Sequence, residues 1–250
     1  MATRLFHISD VHFGVENRAA LDAVARAIHD ERPDALVCTG DLTQRATHKQ
    51  YAAAAVWFEQ FDMPVWLDVG NHDMPYYNLW ERFSDPFRRF RKLHTAVAVQ
   101  SFESDDVVLL PLLTTVSAQR RWPWSDGLIR PEALNQALEA LRPYRDDPRT
   151  IIVTAHHPLH GPQVDGPSDT IGGLAAFPSL AQNGANAVLS GHIHRPFDED
   201  RTIDGSQLQV IGAGTLSTRL RHHAPPSYNV LTCKRGERIK VETRILDRQK

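Results

Sequence analysis

The residues able to do chemistry come in short clusters: Asp10 with His12, Asp41, Asn71 with His72, His156, and His192 with His194. Carboxylate and amide oxygens together with imidazole nitrogens are hard to borderline ligands that suit manganese, iron or zinc. Asp10, His12, Asp41, Asn71, His156, His192 and His194 exceed what one tetrahedral ion needs and suffice for two divalent or trivalent ions sharing a carboxylate. Two dications, two carboxylates and a bridging hydroxide leave a net charge of about +1 with the histidines neutral, which attracts an anionic phosphate ester. His72, one residue beyond Asn71, is an imidazole able to move protons near neutral pH.

Each cluster follows a β-like run. Residues 4–9 lead to Asp10, residues 35–38 to Gly40-Asp41, and Val65, Trp66, Leu67 and Val69 to Gly70-Asn71-His72-Asp73. Between them, Leu21, Val24, Ala25 and Ile28 predict a helix over 18–31 that Pro33 ends, and Tyr51, Ala54, Ala55 and Phe58 predict one over 47–61. Such a βαβαβ unit implies parallel neighbours whose carboxyl ends converge at one edge, where ligands sit in open α/β sheets. Gly70 is expected to give the backbone freedom for a sharp turn. In extended backbone, Asp-x-His and His-x-His would direct both side chains the same way.

Further on, Asp85 is predicted as an N-cap with Pro86 opening a helix, and residues 95–102 and 107–112 as strands joined by an acidic turn. A helix is expected over 131–141. Ile151-Ile152-Val153 delivers His156-His157, a helix covers 174–182, and Ala187-Val188-Leu189 delivers His192 and His194. Strands near 207–211, 227–233 and 240–245 complete the chain. Residues 161–173 are a Gly/Pro-rich loop beside His156, and Trp122-Pro123-Trp124 lies in another loop.

A chain of 250 residues with 42% hydrophobic and 23% charged residues fits one globular α/β domain over 1–250. No apolar run approaches membrane length, and the N-terminus lacks a signal-peptide block, so a cytoplasmic protein is expected. Cys38 and Cys233 are expected to be buried thiols. A formal charge of −2 gives no global case for nucleic acid. Arg82, Arg88, Arg89, Arg91 and Lys92 are read as a solvated basic face over Phe83, Phe87 and Phe90 rather than a polynucleotide groove.

D-x-H, G-D, G-N-H-D, H and G-H-x-H in this order, from Asp10 to His194, resemble the calcineurin-like metallophosphoesterase superfamily. The resemblance implies an α/β fold, a two-sheet β-sandwich flanked by helices, with a dinuclear centre. It implies Asp10, His12, Asp41 and His194 on the first metal, Asp41, Asn71, His156 and His192 on the second, Asp41 as the bridge, and His72 as the catalytic histidine protonating the leaving oxygen. Asp73 would stabilise the turn. The finer resemblance is to bacterial class III cyclic-nucleotide phosphodiesterases and their glycerophosphodiesterase relatives.

The expectation is therefore a phosphodiesterase using in-line attack of a metal-bound hydroxide on a small phosphodiester, cyclic nucleotides first. A nuclease or glycerophosphodiesterase of the same superfamily is the alternative, and a non-catalytic scaffold the alternative of another class. No membrane partner is implied, and a homo-oligomer is left open. Arg219, Arg221 and His222, with Tyr77 and Asn78, are weaker candidates for substrate contact. His157 adjoins a ligand but alternation points it away, and His7, His29, His48, His94, His160 and His223 are read as surface or packing residues.

Overall fold

The structure, a computed structural model, describes residues 2–119, 125–161, 170–221 and 224–246. The expected βαβαβ unit is present: β1 (Thr3–Ile8), α1 (Arg18–Glu31), β2 (Ala35–Cys38), α2 (His48–Glu59) and β3 (Val65–Leu67). Both helices start where side chains satisfy their first amides. Asn17 accepts from Ala20 N, and Thr47 and Gln50 form a reciprocal capping box.

After β3 the chain forms α3 (Leu79–Ser84), α4 (Arg88–Val97), β4 (Phe102–Glu103) and β5 (Val107–Pro111). Then follow α5 (Pro131–Leu141), β6 (Thr150–Thr154), α6 (Gly173–Gln182), β7 (Ala187–Ser190), β8 (Phe197–Ile203), β9 (Ser206–Gly212), β10 (Ser227–Cys233) and β11 (Lys240–Ile245). One sheet has the order β11-β10-β1-β2-β3 and the other β4-β5-β6-β7-β9-β8. As expected, β1, β2 and β3 are parallel neighbours; the structure adds a second parallel set, β5, β6, β7 and β9.

Strand alternation produces the layers. Leu5, Val37 and Trp66 of the first sheet meet Leu109, Ile152, Leu189 and Ile211 of the second in the sandwich interior. The opposite face, with Phe6, Ile8, Leu36 and Cys38, packs under Leu21 and Val24 of α1 and Ala54 and Phe58 of α2. Ile151, Val153 and Val188 pack under Leu141 of α5 and Phe177 of α6. The chain is thus a two-sheet sandwich with helices on both outer faces, as expected. Cys38 and Cys233 are both buried and free. Among the described residues, no helix is long and apolar enough to cross a membrane.

Two local expectations fail, and one strand is missed. Asp85 ends α3 instead of starting a helix: its amide bonds to Glu81 O, while Asn78 caps the start. Residues 95–97 extend α4 rather than open a strand, and β4 shrinks to Phe102–Glu103. Burial of Phe90 and Leu93 in the core shared with α1 and α2 holds that helix despite β-branched Thr95 and Val97 near its end. β8 was not anticipated, because FDEDRTI carries no apolar period. It is an edge strand held by full antiparallel pairing with β9 across Asp204-Gly205, whose φ values of 49° and 74° fit a two-residue hairpin turn.

Candidate metal centre

β1, β2 and β3 end at one edge of the first sheet, and β6 and β7 end at the facing edge of the second. The loops leaving them are tied together by backbone bonds. Asp10 N donates to Gly40 O (3.1 Å) and His12 N to Asp41 O (3.0 Å). Gly191 N donates to His156 O (2.9 Å), and His192 N to Asp10 Oδ2 (2.8 Å), which joins the two sheets' loops.

The extended backbone expected for Asp-x-His and His-x-His is absent. Asp10, His12, Asp41, His192 and His194 have φ of 53°, 51°, 53°, 70° and 61°, in the left-handed region. Each such residue costs roughly 1–2 kcal/mol. That strain is concentrated in the loops that leave the strand ends, where the polar side chains meet.

The side chains converge as the strain suggests. His194 Nε2 lies 3.0 Å from Asp10 Oδ1 and 3.2 Å from His12 Nε2. His12 Nε2 is 3.7 Å from both Asp10 Oδ1 and Asp41 Oδ2. Asp41 Oδ2 is 3.4 Å from His156 Nε2, which is 3.2 Å from Asn71 Oδ1. Asp10-His12-His194 and Asp10-Asp41-His156 are both groups that could hold a metal ion. His192 sits beside His156 with ring centroids 5.3 Å apart, and groups with His156 and His157 rather than with Asp41.

The chemistry of these atoms fits cations. His156 Nδ1 donates to Thr39 O (2.7 Å) and His194 Nδ1 to Arg219 O (2.6 Å), so the Nε2 lone pair of each faces the cluster. Asp10 Oδ1 is buried without a donor aligned on it. Burial holds His12 neutral, pushed down to about 3 against the pull of Asp41 and Asp10. Burial resists charge on Asp41, but His156 and His72 outweigh it and keep the carboxyl well below its usual range. Burial also works against charge on His156, yet Asp41 and Asp10 raise it to about 9, so this nitrogen seeks a positive partner.

His72 is placed differently from the others. Its amide donates to Asp41 Oδ1 (2.8 Å) and its Nδ1 to Gln44 O (2.9 Å), leaving Nε2 as the acceptor for Arg219 Nη1 at 3.1 Å. His72 also falls within reach of His12 and Asp41 as a potential ligand. Its Nε2, however, is engaged by a guanidinium rather than by a bare acceptor.

Supporting groups fix these loops. Asp73 Oδ1 and Oδ2 accept from Thr43 N (2.8 Å), Leu42 N (3.1 Å) and Gly70 N (2.9 Å), pinning the turns after β2 and β3. Gly70 itself has φ −100°. Its glycine is demanded by space, since a Cβ would lie 2.1 Å from Asp41 Oδ1, and not by the turn freedom expected from sequence. His157 is occupied on both nitrogens, by Thr114 Oγ1 (3.0 Å) and Ser125 O (2.9 Å). Its ring nonetheless packs 4.5 Å from that of His192, so it braces a candidate ligand.

Of the weaker candidates, Asn78 is the α3 cap, and Tyr77 is exposed. Arg219 enters the cluster. Arg221 donates to His192 O (3.1 Å). His222, His223, Trp122-Pro123-Trp124 and residues 162–169 lie outside the described residues. Gln44, which clasps both His72 and Arg219, was missed; a lone glutamine carries no motif that would reveal it. The basic segment is spoken for: Arg88 and Arg89 bind Glu81, Arg91 binds Asp85, and Arg82 bonds to Ser117 O and Pro75 O.

The sequence pattern of the calcineurin-like phosphoesterases matches residues 3–196. A probable cyclic nucleotide phosphodiesterase of Synechococcus sp. is 26% identical over 220 residues, covering 81% of this chain and 78% of that protein. Among solved structures, a dimetal phosphatase from Danio rerio shares the fold with a TM-score of 0.66 at 13% identity, covering 97% of this chain and 96% of its own. The purple acid phosphatase PPD1 of yellow lupin aligns with a TM-score of 0.65 at 13% identity, covering 98% of this chain and 52% of its own. With the sequence match running through every strand end that carries a clustered Asp or His, the chain belongs to the calcineurin-like phosphoesterase family and is a metal-dependent hydrolase of phosphoric esters.

Proposed function

We propose that this enzyme is a phosphodiesterase of small diesters, with cyclic nucleotides as first substrates, working on two metal ions drawn from manganese, iron and zinc. Asp10, His12, Asp41 and His194 would hold one ion, and Asp41, Asn71, His156 and His192 the other. When bound, the ions supply Lewis acidity to the phosphoryl oxygens and lower the pKa of water for attack. Residues 1–250 act as one domain on this reading; in its support, β10 pairs with β1 and β9 with β7, so strands beyond residue 196 belong to both sheets.

The observation that carries the reading is the orientation of His72. Its Nδ1 is committed to Gln44 O, which selects the tautomer and aims Nε2 outward from Asp41 toward Arg219. An anionic ester entering between the imidazole and the guanidinium takes the Arg219 N–H and frees Nε2, which takes up a proton from solvent and hands it to the departing oxygen. Asp41 Oδ1 orients the His72 backbone, so ring and bridge move as one unit.

The cyclic-nucleotide preference leans on the Synechococcus relative's description. The nuclease alternative loses its main sequence cue, because Arg88, Arg89 and Arg91 are neutralised by Glu81 and Asp85. A scaffold role is disfavoured by convergence of the Asp and His side chains. The test is a turnover panel of cyclic nucleotides, glycerophosphodiesters, nucleic acids and monoesters, with Mn²⁺ resupplied after chelation. Fastest turnover of cyclic nucleotides is expected; a clear preference for monoesters or for polynucleotides overturns the assignment.

A further inference from the structure

Three guanidinium groups gather at the mouth of the site. Arg219 Nη1 contacts His72 Nε2 at 3.1 Å and Gln44 Oε1 at 3.2 Å. Arg45, the next residue after Gln44, places its guanidinium 4.0 Å over the ring of Tyr76, which is 55% exposed. Arg221 Nη1 bonds to His192 O. All three arginines are half-buried, and none has a carboxylate within ion-pair distance among the described residues. Arg219 O accepts from His194 Nδ1, so Arg219 and Arg221 both stand against the loop that carries His192 and His194.

Like charges held together in a partly buried place are costly unless an anion joins them. The scissile diester carries a single negative charge, which Arg219 and the ions the strand ends would hold take up. Arg45 and Arg221 therefore lack a counter-charge even with a simple diester in place. The cation–π contact with Tyr76 holds the Arg45 guanidinium without neutralising it, and a guanidinium suits phosphate oxygens.

We propose that Arg45 and Arg221, beside the Arg219 that meets the scissile phosphate, form a subsite for a second phosphate group, so that the preferred substrates are phosphodiesters carrying a phosphate monoester on one arm. The proposal rests on the phosphodiesterase reading and narrows its substrate class. It adds charge to what the site selects: a cyclic nucleotide with a further phosphate, or a short phosphorylated nucleotide diester, outcompetes the uncharged-arm analogue.

The test compares the p-nitrophenyl ester of thymidine 5′-phosphate with the same compound carrying a 3′-phosphate, on metal-loaded enzyme. The phosphorylated ester should show at least about tenfold higher kcat/KM, an advantage that shrinks with added salt. In Arg45→Gln and Arg221→Gln the ratio should fall toward one, and Arg221→Lys should restore part of it. Arg91→Gln, remote from the rim, should keep the wild-type ratio. Turnover of both esters at equal efficiency by wild type, or a ratio that survives both glutamine variants, overturns the proposal. So does a change confined to inhibition by released product, since the rim would then read the cleaved phosphate alone.

If no diester is turned over, the phosphodiesterase reading fails and binding decides the rim separately. Calorimetry should show adenosine 3′,5′-bisphosphate binding about tenfold tighter than adenosine 5′-monophosphate to wild type, with equal affinities in Arg45→Gln and Arg221→Gln. Equal binding of the two nucleotides to wild type rejects the subsite.

Discussion

The arginines of α3 and α4 and those at the mouth of the metal-binding cluster share a side chain and differ in surroundings. Arg88 and Arg89 converge on Glu81, which is buried, and Arg91 holds Asp85. Arg45, Arg219 and Arg221 meet an aromatic ring, an amide oxygen, an imidazole and a carbonyl. A guanidinium paired with a carboxylate of its own segment has its charge answered within the fold. One surrounded by neutral acceptors keeps its charge for a ligand. The count of arginines in a segment therefore says little about where an anion binds; the carboxylates nearby decide it.

The contrast can be broken or sharpened by substitution. The largest effect belongs to Asp41, whose Oδ2 faces both His12 and His156. Asp41→Ala should lose both metal ions by elemental analysis and with them all measurable turnover; wild-type metal content would remove the bridging role. His72→Asn comes next. It should keep the metals and the melting temperature yet lose about 10²- to 10⁴-fold in kcat, the range for a positioned acid. The loss should be smaller for p-nitrophenyl esters, whose leaving group needs little protonation; departure of the metals would reassign His72 as a ligand.

Arg219→Gln should cost about 10²-fold in kcat/KM, as for one charged donor at a reacting phosphoryl group, with metal content and stability unchanged. An activity near wild type would erase the distinction between the two arginine groups. The smallest effect is expected at Glu81. Glu81→Gln should destabilise by about 2 kcal/mol in urea, through weakened charge-assisted bonds, while turnover stays within about twofold of wild type.

That difference carries a pH signature. The bond from Arg89, with Arg88 adding to it, holds the Glu81 carboxyl below its ordinary 4.5 against the effect of burial. Its contribution is complete above the unfolded value and is lost as pH falls through the folded one. The stability gap between wild type and Glu81→Gln should be flat above about pH 5 and close at lower pH; a gap that widens in acid would show that Glu81 acts through packing rather than charge.

Much of this was legible in the chain. Apolar runs marked β1 through β3, which are buried on both faces, and 3.6-residue periodicity marked α1, α2 and α5, which bury one face against a core. Residues 85–103 were misread because their packing partner, the α1 and α2 side of the sandwich, is distant in sequence. β8 escaped for the same reason: an edge strand paired through its backbone needs no apolar face.

The order and spacing of Asp10, His12, Asp41, Asn71, His72, His156, His192 and His194 determined by themselves that these residues end strands and that their donor atoms suit metal ions. Ligand identity is a property of side-chain type, and strand ends follow from local periodicity. Tertiary structure decided what depends on approach between distant segments. It bent five of those residues into left-handed backbone, set Gly70 against Asp41, and gave His72 its tautomer through Gln44. It also separated the arginines that Glu81 and Asp85 neutralise from those that none of the described carboxylates reaches, because electrostatic environment is fixed by distance in space and not along the chain.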